Sequence, residues 1–186
     1  MQTGKLNLKI KDPDAKLVAK AQSGNNVAFG KLVKKYQMQV FNLAYDYLGD
    51  FETARDIAQD IFLKVMVNLS GFSGEAKFST WLYRIAVNAS LDAKRKSRKS
   101  RFRLFSDADV IERQAAKNGN RSDEFPEIDG YVNNLSGQQR SAVILRFYHQ
   151  KSVREIAGIM DCSPNTVRTH LYRAIEKLKK TIKTDL

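Results

Sequence analysis

The sequence predicts an all-α protein made of two small helical domains joined by a flexible charged linker. Three observations carry that expectation. Apolar residues recur at three- and four-residue steps in both halves, and no stretch alternates as a half-buried strand does. Helix start signals stand where the apolar stripes begin. Between the halves the pattern gives way to segregated blocks of charge. A chain of 186 residues suits one or two domains, and a hydrophobic content of 42% suffices for packed cores.

In the first half, Val27, Phe29, Leu32, Val33, Tyr36, Val40, Phe41, Ala44 and Leu48 form one helical stripe. Ala54, Ile57, Ile61, Val65 and Leu69 form a second. Gly24 and Gly49 punctuate these helices, and Ser70 to Gly74 reads as a loop. A third helix starts near Ser79. Leu82, Ile85, Ala86, Ala89 and Ala93 share one of its faces, and Trp81, Arg84, Asn88, Asp92 and Arg95 share another. By pattern alone the second face is equally a solvated surface with one half-buried tryptophan.

The second half has sharper signals. Ser136 with Gln139, and Ser152 with Glu155, match the capping box, in which a hydroxyl caps an early backbone N–H and the residue three later reaches back. Ser163-Pro164 supplies a third start, with proline at the first helical position, where it gives up no hydrogen bond. Helices are expected over about 137–149, 153–160 and 164–181. The tight turn before a basic last helix is a helix-turn-helix signature. Val167, Leu171, Ala174, Ile175 and Leu178 form the core stripe of that helix. Asn165, Arg168, Thr169, Tyr172, Arg173, Lys179 and Lys180 point away from it. Arginine pairs bidentately with guanine and asparagine with adenine, and more distal cations neutralise phosphates.

The charge has a definite arrangement. The chain carries 32 Lys and Arg against 20 Asp and Glu, a formal net of +12. Residues 1–97 and 131–186 each contribute +6, and residues 98–130 sum to zero. Seven of the ten residues Lys94 to Arg103 are basic, and acidic residues dominate from Asp107 to Asp129. Like-charge blocks resist packing, so 98–130 reads as a linker, with turn-rich Lys117 to Ser122 in its middle.

Several classes are excluded. With 10 Gly and 3 Pro the chain is no low-complexity fibre, and the single cysteine, Cys162, has no partner for an internal disulfide. No apolar run approaches the roughly 20 residues that span a bilayer. Met1 to Ile10 is too polar for a secretory signal. A basic, cytoplasmic protein with a polyanionic partner is expected. No catalytic or metal constellation appears: His149 and His170 are the only histidines, Cys162 lacks a partner at metal spacing, and no phosphate-binding glycine loop is present. Neither an enzyme, a cofactor, a metal nor a small-molecule substrate is expected.

Three motifs then define a resemblance. Asp56-Ile-Ala-Gln59-Asp60-Ile-Phe-Leu-Lys64, Phe78-Ser-Thr-Trp81-Leu-Tyr-Arg84-Ile-Ala-Val-Asn88-Ala-Ser-Leu-Asp92, and Leu135 to Leu178 with Glu155-Ile-Ala157 and Asn165-Thr-Val-Arg168 follow one another in order. Together they resemble the extracytoplasmic-function (ECF, group IV) sigma factors of the sigma-70 family, and they cover nearly the whole chain. The resemblance implies sigma region 2 over 1–97, a flexible linker over 98–130, and sigma region 4 over 131–186. It implies a transcription initiation factor that binds core RNA polymerase and recognises and melts promoters.

Residue by residue, Asp56, Gln59 and Asp60 match positions that dock on the polymerase clamp helices, and region 4 would meet the flap. Asn88 matches the position that captures a flipped −10 base, with the loop Ser70–Lys77, including Phe72, Ser73 and Lys77, completing the pocket, and with Trp81 and Arg84 beside it. Tyr83 is better suited to core packing than to stacking on a base. Asn165, Thr166, Arg168, Thr169, Tyr172 and Arg173 fall on the −35 reading face. Here the chain departs from the common pattern, carrying Asn165 and Thr169-His170 where relatives have Gly and Ser-Arg. The basic run 94–103 would thread the active-site cleft of the polymerase. The resemblance further implies an anti-sigma factor that holds such a protein inactive, often at the inner face of the membrane. Two other readings fit the basic composition: a stand-alone helix-turn-helix regulator, which leaves 56–92 without a role, and a general basic RNA-binding protein, indifferent to promoter sequence.

Overall fold

A computed structural model describes residues 12–106, 130–132 and 134–185. The described residues are helical throughout their regular elements. The helices are α1 (Ala15–Gln22), α2 (Asn26–Leu48), α3 (Phe51–Asn68), α4 (Phe78–Ser106), α5 (Gly137–Val143), α6 (Val153–Met160) and α7 (Pro164–Asp185). A 3₁₀ turn, Leu69–Gly71, follows α3, and a π turn, Ile144–Tyr148, continues α5.

Local chemistry sets the boundaries. Asn25 and Asp50 begin α2 and α3 by accepting the backbone N–H of Ala28 and Thr53 at 2.9 and 2.8 Å. Gly49 ends α2 in the left-handed region at φ 73°, where a Cβ would be strained, and its N–H closes the helix on the Tyr45 carbonyl. Both expected capping boxes form, at Ser136–Gln139 and Ser152–Glu155. Ser163 accepts the Thr166 N–H at 3.1 Å. The expected helix over 137–149 is interrupted: its last turn widens into the π turn, and Gln150 then takes φ 52°. α4 continues to Ser106, past the boundary at 97 expected for the first domain, while 107–129 lie outside the described residues.

Helices α1 to α4 pack around Leu32, Tyr36, Val40, Leu43, Ile61, Val65, Phe78 and Leu82, all buried. Two local devices fix the start of α4. The Asp12 carboxylate accepts the Phe78 N–H at 2.7 Å, placing negative charge at a helix N-terminus. The Gln22 amide donates to the carbonyls of Leu69 and Phe72 at 3.0 and 2.9 Å, pinning the preceding loop to α1. Buried Asp14 receives Lys35 and the Tyr36 hydroxyl, so the buried carboxylate is paired.

The expected stripes need two corrections. Val27 is 71% exposed, because the first turn of α2 projects beyond the neighbouring helices; Ile175 is likewise partly exposed. Leu43, Tyr47, Val87 and Ser90, outside the expected stripes, are buried. The reason is tertiary. α5, the π turn and α6 pack onto α2 and α4, so these helices are covered on a second face, and Ile144, Leu145, Ile156, Ile159 and Val167 join the core of the first half. A smaller cluster of Val132, Leu135, Val143 and Ala174 holds α5 to α7.

Candidate nucleic-acid and polymerase interfaces

The −35 candidates lie along the start of α7. Asn165, Thr166, Arg168, Thr169, Tyr172 and Arg173 are all exposed, while Val167 and Ala174 are buried beneath them. Their geometry is organised. The Asn165 amide oxygen accepts Arg168 Nη1 at 2.7 Å, holding the guanidinium along the helix. Thr169 Oγ1 donates to the Asn165 carbonyl at 3.0 Å, and Thr166 Oγ1 lies 2.8 Å from Ser163 Oγ at the cap. Thr166 and Thr169 are therefore engaged locally, and Arg168, Tyr172 and Arg173 present the reach. His170 is half-buried at the edge of this face.

The −10 candidates fall into three groups. Asn88, Ser73 and Lys77 are exposed. Phe72 and Trp81 are half-buried in one aromatic group with Phe78: Phe72 lies 5.2 Å from Trp81 and 6.0 Å from Phe78, centroid to centroid. Tyr83 is buried, as its spacing suggests, and burial pushes its phenol up to about 12. Arg84 is held elsewhere. Its Nη2 donates to the Gly158 carbonyl at 2.7 Å and lies 3.3 Å from Asp161 Oδ1, so it faces the helix-turn-helix.

Asp56, Gln59 and Asp60 are all exposed on α3. Leu63 and Val67 continue the same helical face and are 62% and 78% exposed. With Met66, they make an apolar patch beside the acidic residues that the motif reading missed. The available signal is that Leu63 and Val67 fall outside the apolar stripe of α3.

Cys162 is half-buried in the turn, packed against the core as a small apolar plug, and burial raises its thiol above the ordinary range. Among the described residues no group of acidic, His or Cys side chains is placed to hold a metal ion, and no helix is long and apolar enough to cross a membrane.

Comparison with known proteins identifies the family. Residues 32–100 match the family model for sigma-70 region 2, and residues 126–178 match that for sigma-70 region 4. The chain therefore belongs to the sigma-70 family, in its ECF branch, and is a transcription initiation factor rather than an enzyme. It is 33% identical to the RNA polymerase sigma-H factor of Pseudomonas aeruginosa, over 92% of this chain and 94% of that factor. It is 32% identical to the ECF RNA polymerase sigma-E factor of Escherichia coli K12, over 91% of this chain and 94% of that one. Among solved structures, CnrH in complex with the cytosolic domain of CnrY superposes with a TM-score of 0.70 at 25% identity, covering 94% of this chain and all of that one.

Proposed function

We propose that the chain binds core RNA polymerase through α3 and carries it to promoters, reading the −10 element with α4 and its preceding loop and the −35 element with α7. The observation that carries this reading is the placement of three unlike exposed surfaces on one chain. An acidic and apolar face, Asp56, Gln59, Asp60, Leu63 and Val67, suits a protein partner on a protein whose net charge is +12. Asn88, with Ser73 and Lys77, offers an amide and a cation to an unpaired base and its phosphate. Arg168, Tyr172 and Arg173 offer base-edge and phosphate contacts on a helix suited to the major groove.

On this reading region 2 occupies 1–97 and region 4 occupies 131–186, with 98–130 as the connection and α4 extending into it. Phe72 and Trp81 shape the wall of the −10 pocket by packing on Phe78. Action on RNA polymerase places the protein in the cytoplasm. The structural similarity to CnrH bound by the cytosolic domain of CnrY supports control by an anti-sigma factor, which would sequester this chain near the membrane if that factor is membrane-anchored.

The test is assembly with purified core enzyme followed by run-off transcription over genomic fragments. A stable complex and a restricted promoter set are expected. No complex with core overturns the reading, and promoter binding by the free chain equal to that of the complex favours a stand-alone regulator.

A further inference from the structure

The loop assigned to the −10 base is held at both ends by one helix, α1. At its entry, the Gln22 amide donates to two carbonyls, those of Leu69 and Phe72, at 3.0 and 2.9 Å. At its exit, Asp12 Oδ2 accepts the Phe78 N–H at 2.7 Å, while Asp12 Oδ1 accepts the Asp14 N–H at 3.0 Å. Gln22 is the last residue of α1, and Asp12 lies just before its first turn. The helix itself has a firm seat. Asp14 is its N-cap residue, yet the buried carboxylate makes no cap bond and instead takes Lys35 and the Tyr36 hydroxyl. Val18 is buried on the same helix. Tyr36 in turn backs Phe78, with ring centroids 5.7 Å apart. Between the two ties lie Ser73 to Lys77, exposed except for half-buried Ala76, and the chain turns there at Gly74 with φ 76°.

We infer that Gln22 and Asp12 are positioning residues for −10 recognition: without touching DNA, they hold the loop Ser73–Lys77 at the spacing from Asn88 that an extruded base requires. The inference rests on the −10 reading of this loop and α4 proposed above. Both ties end on backbone groups, so they fix the path of the loop and not a single side chain. A glutamine amide has two N–H groups, and Gln22 commits its nitrogen to two carbonyls at once. Gln22 is exposed, and an exposed hydrogen bond adds little to folding because water replaces it. What the pair fixes is geometry. Extruding a base costs free energy that a pocket must offset, and ordering a slack loop at that moment would subtract from the offset. The aromatic wall depends on the same tie. The Phe72 carbonyl is bonded to Gln22, and its ring lies 5.2 Å from Trp81. Both positioning residues precede the stretch 32–100 that matches the region 2 model, so the motif that marks the pocket does not include what holds it.

Three variants of the full chain test this. Gln22→Met removes both donors at similar length and helix propensity. Gln22→Lys supplies donors again, and Asp12→Ala removes the second tie. Each is assembled with core polymerase and compared with the unaltered chain by retention of a randomised single-stranded DNA pool, with sequencing of the retained strands. Circular dichroism and a core pull-down run alongside, and hydrogen exchange of the 72–78 amides is followed in the free chain. If the untied loop keeps its reading shape about one-fifth of the time, enrichment of the preferred sequences falls about fivefold. Gln22→Met and Asp12→Ala are expected to show that loss with faster exchange over 72–78, at unchanged helicity and core binding, and Gln22→Lys to keep most of the enrichment. Full enrichment by Gln22→Met, loss of core binding in step with enrichment, or a Gln22→Lys chain as poor as Gln22→Met overturns the inference. Faster exchange in Gln22→Met beside an unaltered complex that enriches no sequence removes the −10 reading, and the recognition role with it, but leaves the tie standing. Unchanged exchange removes the tie whatever the DNA result.

Discussion

At the residue scale, the proposed −35 contact of Arg168 would start from a side chain that Asn165 already holds in place. The amide oxygen of Asn165 already holds the Arg168 guanidinium, so less side-chain freedom is lost on binding. Arg168→Ala is expected to weaken −35 recognition by about 1–3 kcal/mol, measured as promoter preference of the polymerase complex. Asn165→Ala should move the same preference in the same direction by less, because the guanidinium remains but is no longer positioned. Asn88 has a different role in the proposed reading. It is exposed on α4, so Asn88→Ala should lower promoter opening, followed by permanganate reactivity of unpaired thymines, while leaving core binding unchanged. Equal loss of both would make Asn88 a structural residue.

Glu155 gives a pH dependence with a definite sign. The Ser152 hydroxyl, followed by its backbone N–H, holds the Glu155 carboxyl below its ordinary value. A group depressed in the folded state adds stability above its unfolded pKa and loses it as pH falls through the folded value. α6 should therefore weaken on the acid side of about pH 4.5, the ordinary value for this group. Glu155→Gln keeps a capping acceptor but does not titrate, so the acid-side slope of thermal stability should shrink.

At the element scale, much was legible because local chemistry decides where helices start. The expected starts at Ser136, Ser152 and Ser163 each cap the helix that follows, and Asn25 and Asp50, not singled out from the sequence, do the same. Removing one of them, Ser152→Ala, should cost about 1 kcal/mol of stability by denaturant titration, a typical cap contribution. The π turn at Ile144–Tyr148 was not legible, since its residues continue a helical pattern and only the wider last turn brings His149 to Asp46. On α3 the acidic motif was visible, but its apolar extension was passed over, although Leu63 and Val67 fall outside the apolar stripe and on the face of the acidic residues. Leu63→Asp should reduce core polymerase binding in a pull-down without altering helicity, as expected for a side chain that is 62% exposed.

At the scale of the whole molecule, the limit of sequence reading is the contact between halves. Periodicity identifies one apolar face per helix, but α2 and α4 are covered on two. Tyr47, Val87 and Ser90 are buried by residues nearly a hundred positions away or brought in by α5 and α6, and no local pattern announces that. The contact of Arg84 with the Gly158 carbonyl was hidden for the same reason, since no local pattern sets Gly158 opposite it. The core itself should behave conventionally. Ile61→Ala, at a fully buried position between α2, α3 and α4, is expected to cost about 2–5 kcal/mol by thermal or urea unfolding.

The crossing at Gly158 also sets an order of events. Elements centred near −10 and −35 lie about 25 base pairs apart, on the order of 80 Å at the duplex rise of ~3.4 Å. With α6 seated on α4, the helices proposed to read those elements belong to halves in direct contact, so this arrangement does not span that distance. It can still present α7 to duplex DNA. On the proposed reading, the two halves must therefore separate before one chain can engage both elements.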